Sequence, residues 1–149
     1  MKYSVKIVWS VIIWVASVIP AFALEPVYSD FWGRAIKGYD SVSYFTDGIA
    51  AKGDSDFIYQ WNGSKWLFSS QQNLELFVSN PEKYAPQYGG YCAWAVSKGY
   101  AANIDPNAWN VVEGKLYLNY SKSVQETWQK DIKGNVAKAN VHWPNLISE

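Results

Sequence analysis

Sulfur and imidazole are nearly missing from this chain of 149 residues, which holds one Cys, one Met and one His. Cys92 has no partner for an internal disulfide, so the fold must stand on packing alone. No second cysteine is present to make a haem-attachment pair. A mononuclear zinc or copper site takes three or four ligands from Cys, His, Met or carboxylate, and Cys92 with His142 cannot fill one unaided. Excess positive charge is missing too, since 13 Lys and Arg stand against 13 Asp and Glu without forming a basic run. That balance excludes a phosphate backbone as partner, so no nucleic acid is expected. Gly89-Gly90 carries no GxGxxG or GxxxxGK[ST] series around it, which sets nucleotide binding aside. No internal repeat, low-complexity tract or linker can be read along the chain.

The one long apolar run stands at the start. Lys2 and Lys6 precede an uncharged stretch from Ile7 to Ile19, and Ala21-Phe22-Ala23 follows with the small-large-small pattern of a signal peptidase site. The run of roughly 13 residues falls short of the roughly 20 that span a bilayer as a helix. Residues 1–23 therefore read as a signal peptide cleaved near Ala23, leaving a periplasmic or secreted product. Loss of Lys2 and Lys6 leaves eleven basic residues against thirteen acidic ones, a net charge of −2.

Beyond that point the expected organisation is a partly mobile lead-in over 24–35 and one domain over 36–146. Val42 and Tyr44 alternate after Gly38-Tyr39-Asp40, as a short strand would. Asn62-Gly63 tolerates positive φ at both positions and predicts a two-residue type I′ hairpin joining 57–61 to 64–68. Tyr59 should then face Trp66, and Phe57 should face Phe68. Ser70 caps a helix to about Ser79, with Leu74, Phe77 and Val78 on one side, and Pro81 opens a new turn or short helix. A second hairpin flanks Glu113-Gly114, its register left open. Ser123 and Glu126 form a capping box before Val124, Trp128 and Ile132. A last helix is predicted to break at Gly134 and end before Pro144. The fold class is α+β: a small antiparallel sheet built from hairpins, packed with a few short helices.

Two roles stay open for Cys92, a small buried hydrophobe or a ligand and reactive thiol. His142 reads as a partner of terminal helix carbonyls or as a ligand. Asp40, Asp105 or a second protomer are the groups that would complete a metal site with these two. Tyr88, Tyr91, Trp94, Tyr100 and Trp109 cluster around Cys92 in sequence. Such aromatics form core, or line a pocket for a flat ligand that includes a haem held axially by Cys92 or His142.

Several segments together resemble the YHS domain family, in its exported single-domain branch. They are Gly38-Tyr39-Asp40 with 42–45, the strand ending in Trp66-Leu67-Phe68-Ser69-Ser70, Asn80-Pro81-Glu82-Lys83-Tyr84, the run 85–96, and 114–120. The resemblance covers about residues 36–146. It implies a small α+β domain and, through cysteines in other branches, a link to heavy metals. One such cysteine sits in the aromatic-Cys-Ser step ending the second strand, where this chain has Ser69. The expected function is an exported ligand-binding module, possible metal handling included, with a copper or zinc ion ahead of haem as cofactor. Cys92, His142, Tyr91, Trp94, Tyr88 and Asp40 are its candidate ligand-binding residues, with Cys92 and His142 as metal ligands. The alternatives are an interaction protein docking on a membrane or periplasmic protein, and a thiol-dependent redox protein using Cys92.

Overall fold

The computed structural model describes residues 23–148, so the expected signal peptide, except its last residue Ala23, lies outside the described residues. Among the described residues, two antiparallel hairpins and six α-helices make an α+β fold. The first hairpin joins β1 (Asp54–Trp61) to β2 (Ser64–Phe68), and α1 (Ser43–Thr46) precedes it. After it come α2 (Gln71–Ser79) and α3 (Pro81–Tyr84), then α4 (Ala93–Ser97). The second hairpin joins β3 (Asp105–Val112) to β4 (Lys115–Asn119), followed by α5 (Lys122–Gln129) and α6 (Ile132–Ile147). The strands form two separate two-stranded sheets.

Both turns behave as the dipeptides require. Asn62 and Gly63 have φ of 50° and 79°, and Glu113 and Gly114 have 51° and 73°, the left-handed pairs of type I′ loops. Tyr59 faces Trp66 as expected, but Phe57 does not face Phe68. The register shifts between Asp54 and Ile58, and this irregularity makes Asp54 the partner of Phe68. Ser70 caps α2 by accepting the Asn73 N–H at 3.1 Å, and Pro81 takes the first turn of α3. Phe77 is buried on α2, whereas Val78 is exposed.

Four further expectations are corrected. Val42 and Tyr44 do not form a strand: the Asp40 carboxylate accepts the Val42 and Ser43 N–H groups and turns the chain into α1 instead. The cap of α5 is Ser121, which accepts the Val124 N–H at 3.2 Å, and Ser123 lies inside the first turn. Helix α6 runs through both Gly134 and Pro144, with Trp143 and Leu146 packed on the core on either side of the proline. Residues 24–35 are docked rather than loose. Val27 and Ala35 are buried, the Tyr28 N–H bonds Gly89 O at 2.8 Å, and Tyr28 packs edge-on against Tyr91.

The structure also overturns the absence of a repeat. The two hairpins pair in identical register 51 residues apart, from Asp54↔Phe68 and Asp105↔Asn119 through the same irregularity to Trp61↔Ser64 and Val112↔Lys115. Ser70 and Ser121 cap the helices that follow, and Phe77 and Trp128 sit at matching buried places. Asn80 and Asp131 then cap α3 and α6 through the N–H groups of Lys83 and Gly134. Upstream the offset is 52. The left-handed run Ile36-Lys37-Gly38 matches Tyr88-Gly89-Gly90, and Tyr39-Asp40 matches Tyr91-Cys92. The Asp40 N–H bonds Ala51 O, and the Cys92 N–H bonds Ala102 O. The fold is thus two copies of one hairpin-and-helix unit. Among the described residues no helix is long and apolar enough to cross a membrane.

Candidate functional site

The equivalence of Asp40 and Cys92 organises the site. In the first copy the Asp40 side chain is fully buried and accepts five hydrogen bonds. Oδ1 takes the N–H groups of Val42 (2.9 Å) and Ser43 (3.2 Å). Oδ2 takes the Ser69 N–H (2.8 Å), the Ser69 hydroxyl (2.7 Å) and the Asn73 side-chain amide (2.8 Å). A buried carboxylate needs such a shell, and here every donor lies within the same copy.

In the second copy Cys92 stands in the place of Asp40, Tyr120 in that of Ser69, and Val124 in that of Asn73. The polar lid is replaced by apolar walls, and the space opens into a cleft of about 290 Å³ lined by Cys92, Trp94, Ala95, Tyr100, Ala102, Tyr120 and Val124. Tyr100 and Tyr120 are half-exposed, whereas Cys92 at the floor is 1% exposed. Burial pushes the Cys92 thiol above its ordinary value, while the N–H groups of Ala95, Tyr120 and Trp94 pull the other way. Ala95 and Tyr120 match Ser43 and Ser69, so the amides that hold a carboxylate in one copy surround a thiol in the other. Cys92 Sγ donates to Asn119 Oδ1 at 3.6 Å, and the same oxygen accepts the Trp94 N–H at 3.0 Å. Asn119 is fully buried, and its Nδ2 has no partner among the described residues.

The structure divides the residues expected to act together. Cys92 and Trp94 share the cleft. Tyr88 and Tyr91 pack against Trp143 instead, each with ring centroids 6.0 Å from it. Tyr88 also lines a separate groove with Trp61, Trp66 and Trp143. His142 lies beside Gly99, beyond the far end of α4 from Cys92, and does not line the cleft. The five residues of α4 between them rise by about 7.5 Å. Asp40 is enclosed in the first copy, and Asp105 Oδ1 accepts the Asn107 N–H at the start of β3. Tyr120, Val124 and Ala102 were not readable as site residues, because only the repeat places them around Cys92.

A heavy metal does not fit these residues. Among the described residues no three His, Cys, Asp or Glu side chains converge. At the step where the resemblance implies a cysteine ligand, Ser69 instead donates its hydroxyl to Asp40.

The family model of the YHS domain matches residues 42–88. The likeness to a YHS domain is confined to this segment, which runs from the start of α1 to the link between the two copies. The second copy, with Cys92, lies outside it. Neither a curated protein nor a solved structure matches the chain.

Proposed function

We propose that the protein is a non-catalytic binding module, exported after removal of residues 1–23, whose small apolar ligand lies in the Cys92 cleft. The observation that carries this reading is the contrast between the copies. Where Asp40, Ser69 and Asn73 close the first copy with hydrogen bonds, Cys92, Tyr120 and Val124 leave an aromatic-walled opening in the second. Apolar walls with few polar groups suit a flat or aliphatic small molecule.

The thiol is neither exposed nor held as a thiolate, which argues against redox or nucleophilic work. The metal-handling link of the YHS family does not extend to this cleft, whose only soft donor is Cys92.

The test is a fluorescence titration with N-phenyl-1-naphthylamine, a neutral flat probe, on the wild type and on Ala102→Phe, which fills the cleft. Saturable binding that the variant abolishes while keeping its thermal midpoint is expected. Equal binding to both proteins, or none to the wild type, would overturn the reading.

A further inference from the structure

We propose that the loop carrying Phe31 and Trp32 docks the protein on the surface of a bilayer containing anionic lipid. Phe31 is 95% exposed and Trp32 65%, and both sit on one tight turn closed by the Gly33 N–H on Asp30 O. The turn is locked rather than slack. The Asp30 carboxylate accepts the Trp32 and Arg34 N–H groups at 3.0 Å each and the Arg34 guanidinium at 2.7 Å. Ala35, next along the chain, is fully buried and hydrogen-bonds Lys65 O. A fixed turn that holds two large aromatics in water forgoes their burial in this chain, yet loses little entropy when they enter another apolar phase.

The surroundings select that phase. Beside the turn lies a cleft of about 350 Å³ lined by Trp32, Arg34, Ser55, Ile58, Lys65 and Leu67. Its ionisable groups are both cationic, Arg34 paired with Asp30 and Lys65 in no ion pair among the described residues, and Ile58 is itself 42% exposed. Arg34 stacks over Trp32 at 5.1 Å. Aromatic residues that enter the interface, with the unpaired Lys65 ammonium beside them at headgroup level, match an anionic lipid surface. A second copy of the chain would bring together two patches whose unpaired charge is Lys65 in each, which like-charge repulsion opposes.

The test is flotation of the purified protein with phosphatidylglycerol–phosphatidylcholine vesicles and with phosphatidylcholine vesicles. Wild type, Phe31→Ser/Trp32→Ser and Lys65→Gln are compared with the same N-terminus. The double variant should retain its thermal midpoint, since both side chains stand in solvent, and lose binding to the anionic vesicles by at least about tenfold. Lys65→Gln should weaken it by a few-fold and flatten its salt dependence. Equal flotation of wild type and double variant overturns the proposal, as does wild-type binding that is indifferent to phosphatidylglycerol. A dimer in sedimentation velocity that the double variant dissolves would assign the surface to a second copy and overturn it as well. None of these readouts involves Cys92 or its cleft.

Discussion

Cys92 stands in the second copy of the fold where Asp40 stands in the first, each with an N–H bonded to the carbonyl of an equivalent alanine, Ala102 or Ala51. The side-chain surroundings of the two positions should then be transferable. Cys92→Asp alone places a carboxylate among amides but beside Val124, which cannot donate, and it should destabilise the fold. Adding Val124→Asn recreates the Asp40–Asn73 pair. The two changes should be non-additive by about 0.5–3 kcal/mol in the stabilising direction, the range for residues in one hydrogen-bond network. Urea unfolding of wild type, both single variants and the double variant measures this, and strict additivity would count against the structural equivalence.

Asp40 itself is expected to be a stability residue. Asp40→Ala removes the acceptor for the N–H groups of Val42 and Ser43 and for the buried Asn73 amide. Buried donors left without partners cost about 1–3 kcal/mol each, so a loss of at least about 3 kcal/mol is expected. Ser69 lies at the surface and can exchange its bonds for water. Ser69→Ala should therefore cost no more than about 1 kcal/mol. Denaturant midpoints that rank the two variants the other way would show that the carboxylate is not what holds α1 against β2.

What was legible in the sequence follows from how local each signal is. Asn62-Gly63 forces its own turn, so the hairpin and the Tyr59–Trp66 pair could be read directly. The Phe57–Phe68 pairing failed because the irregularity between Asp54 and Ile58 has no signature in the residues that flank it. Val42 and Tyr44 alternate over too short a span to outweigh an Asp40 side chain that supplies helix-type bonds to the backbone. The repeat was hidden because its identities are scattered single residues, among them Tyr39 and Tyr91, Asp54 and Asp105, Leu67 and Leu118, and Ser70 and Ser121. Its conserved content is geometric, in register, turns and caps. Cys92 could be picked out as an isolated chemical group, but Tyr120 and Val124 reach it only through the packing of β4 and α5 on α4.

The corrected cap of α5 separates two serines, Ser121 and Ser123, that stand on either side of Lys122. Ser121→Ala removes the acceptor for the Val124 N–H and should cost about 1 kcal/mol, the usual value for an N-cap serine. Ser123 is exposed in the first turn, and Ser123→Ala should change stability by less than about 0.5 kcal/mol. A capping box at Ser123 would reverse this order. Thermal or denaturant unfolding of the two variants side by side decides between them.

Alkaline pH should unfold the protein earlier than its neutral stability would indicate. Burial raises the Cys92 thiol above its ordinary 9.0, and burial likewise raises Tyr28, Tyr44, Tyr88, Tyr91 and Tyr117 above their ordinary 10.0. For a group that is neutral when protonated and raised in the folded state, the unfolded chain gives up its proton first. Between the two pKa values the native state binds more protons, so stability falls as pH rises. Denaturant midpoints should hold steady up to about pH 8.5, begin to fall through the thiol range, and fall more steeply above about pH 10 as unfolded tyrosines ionise. Tyr44 should carry a large share, because it is 2% exposed and its hydroxyl donates to Pro106 O at 2.7 Å. Tyr44→Phe gives up that bond and lowers stability at neutral pH, but it should make the decline above about pH 10 shallower. A decline of unchanged slope in the variant would show that its phenol ionises in the native state as readily as in the unfolded chain.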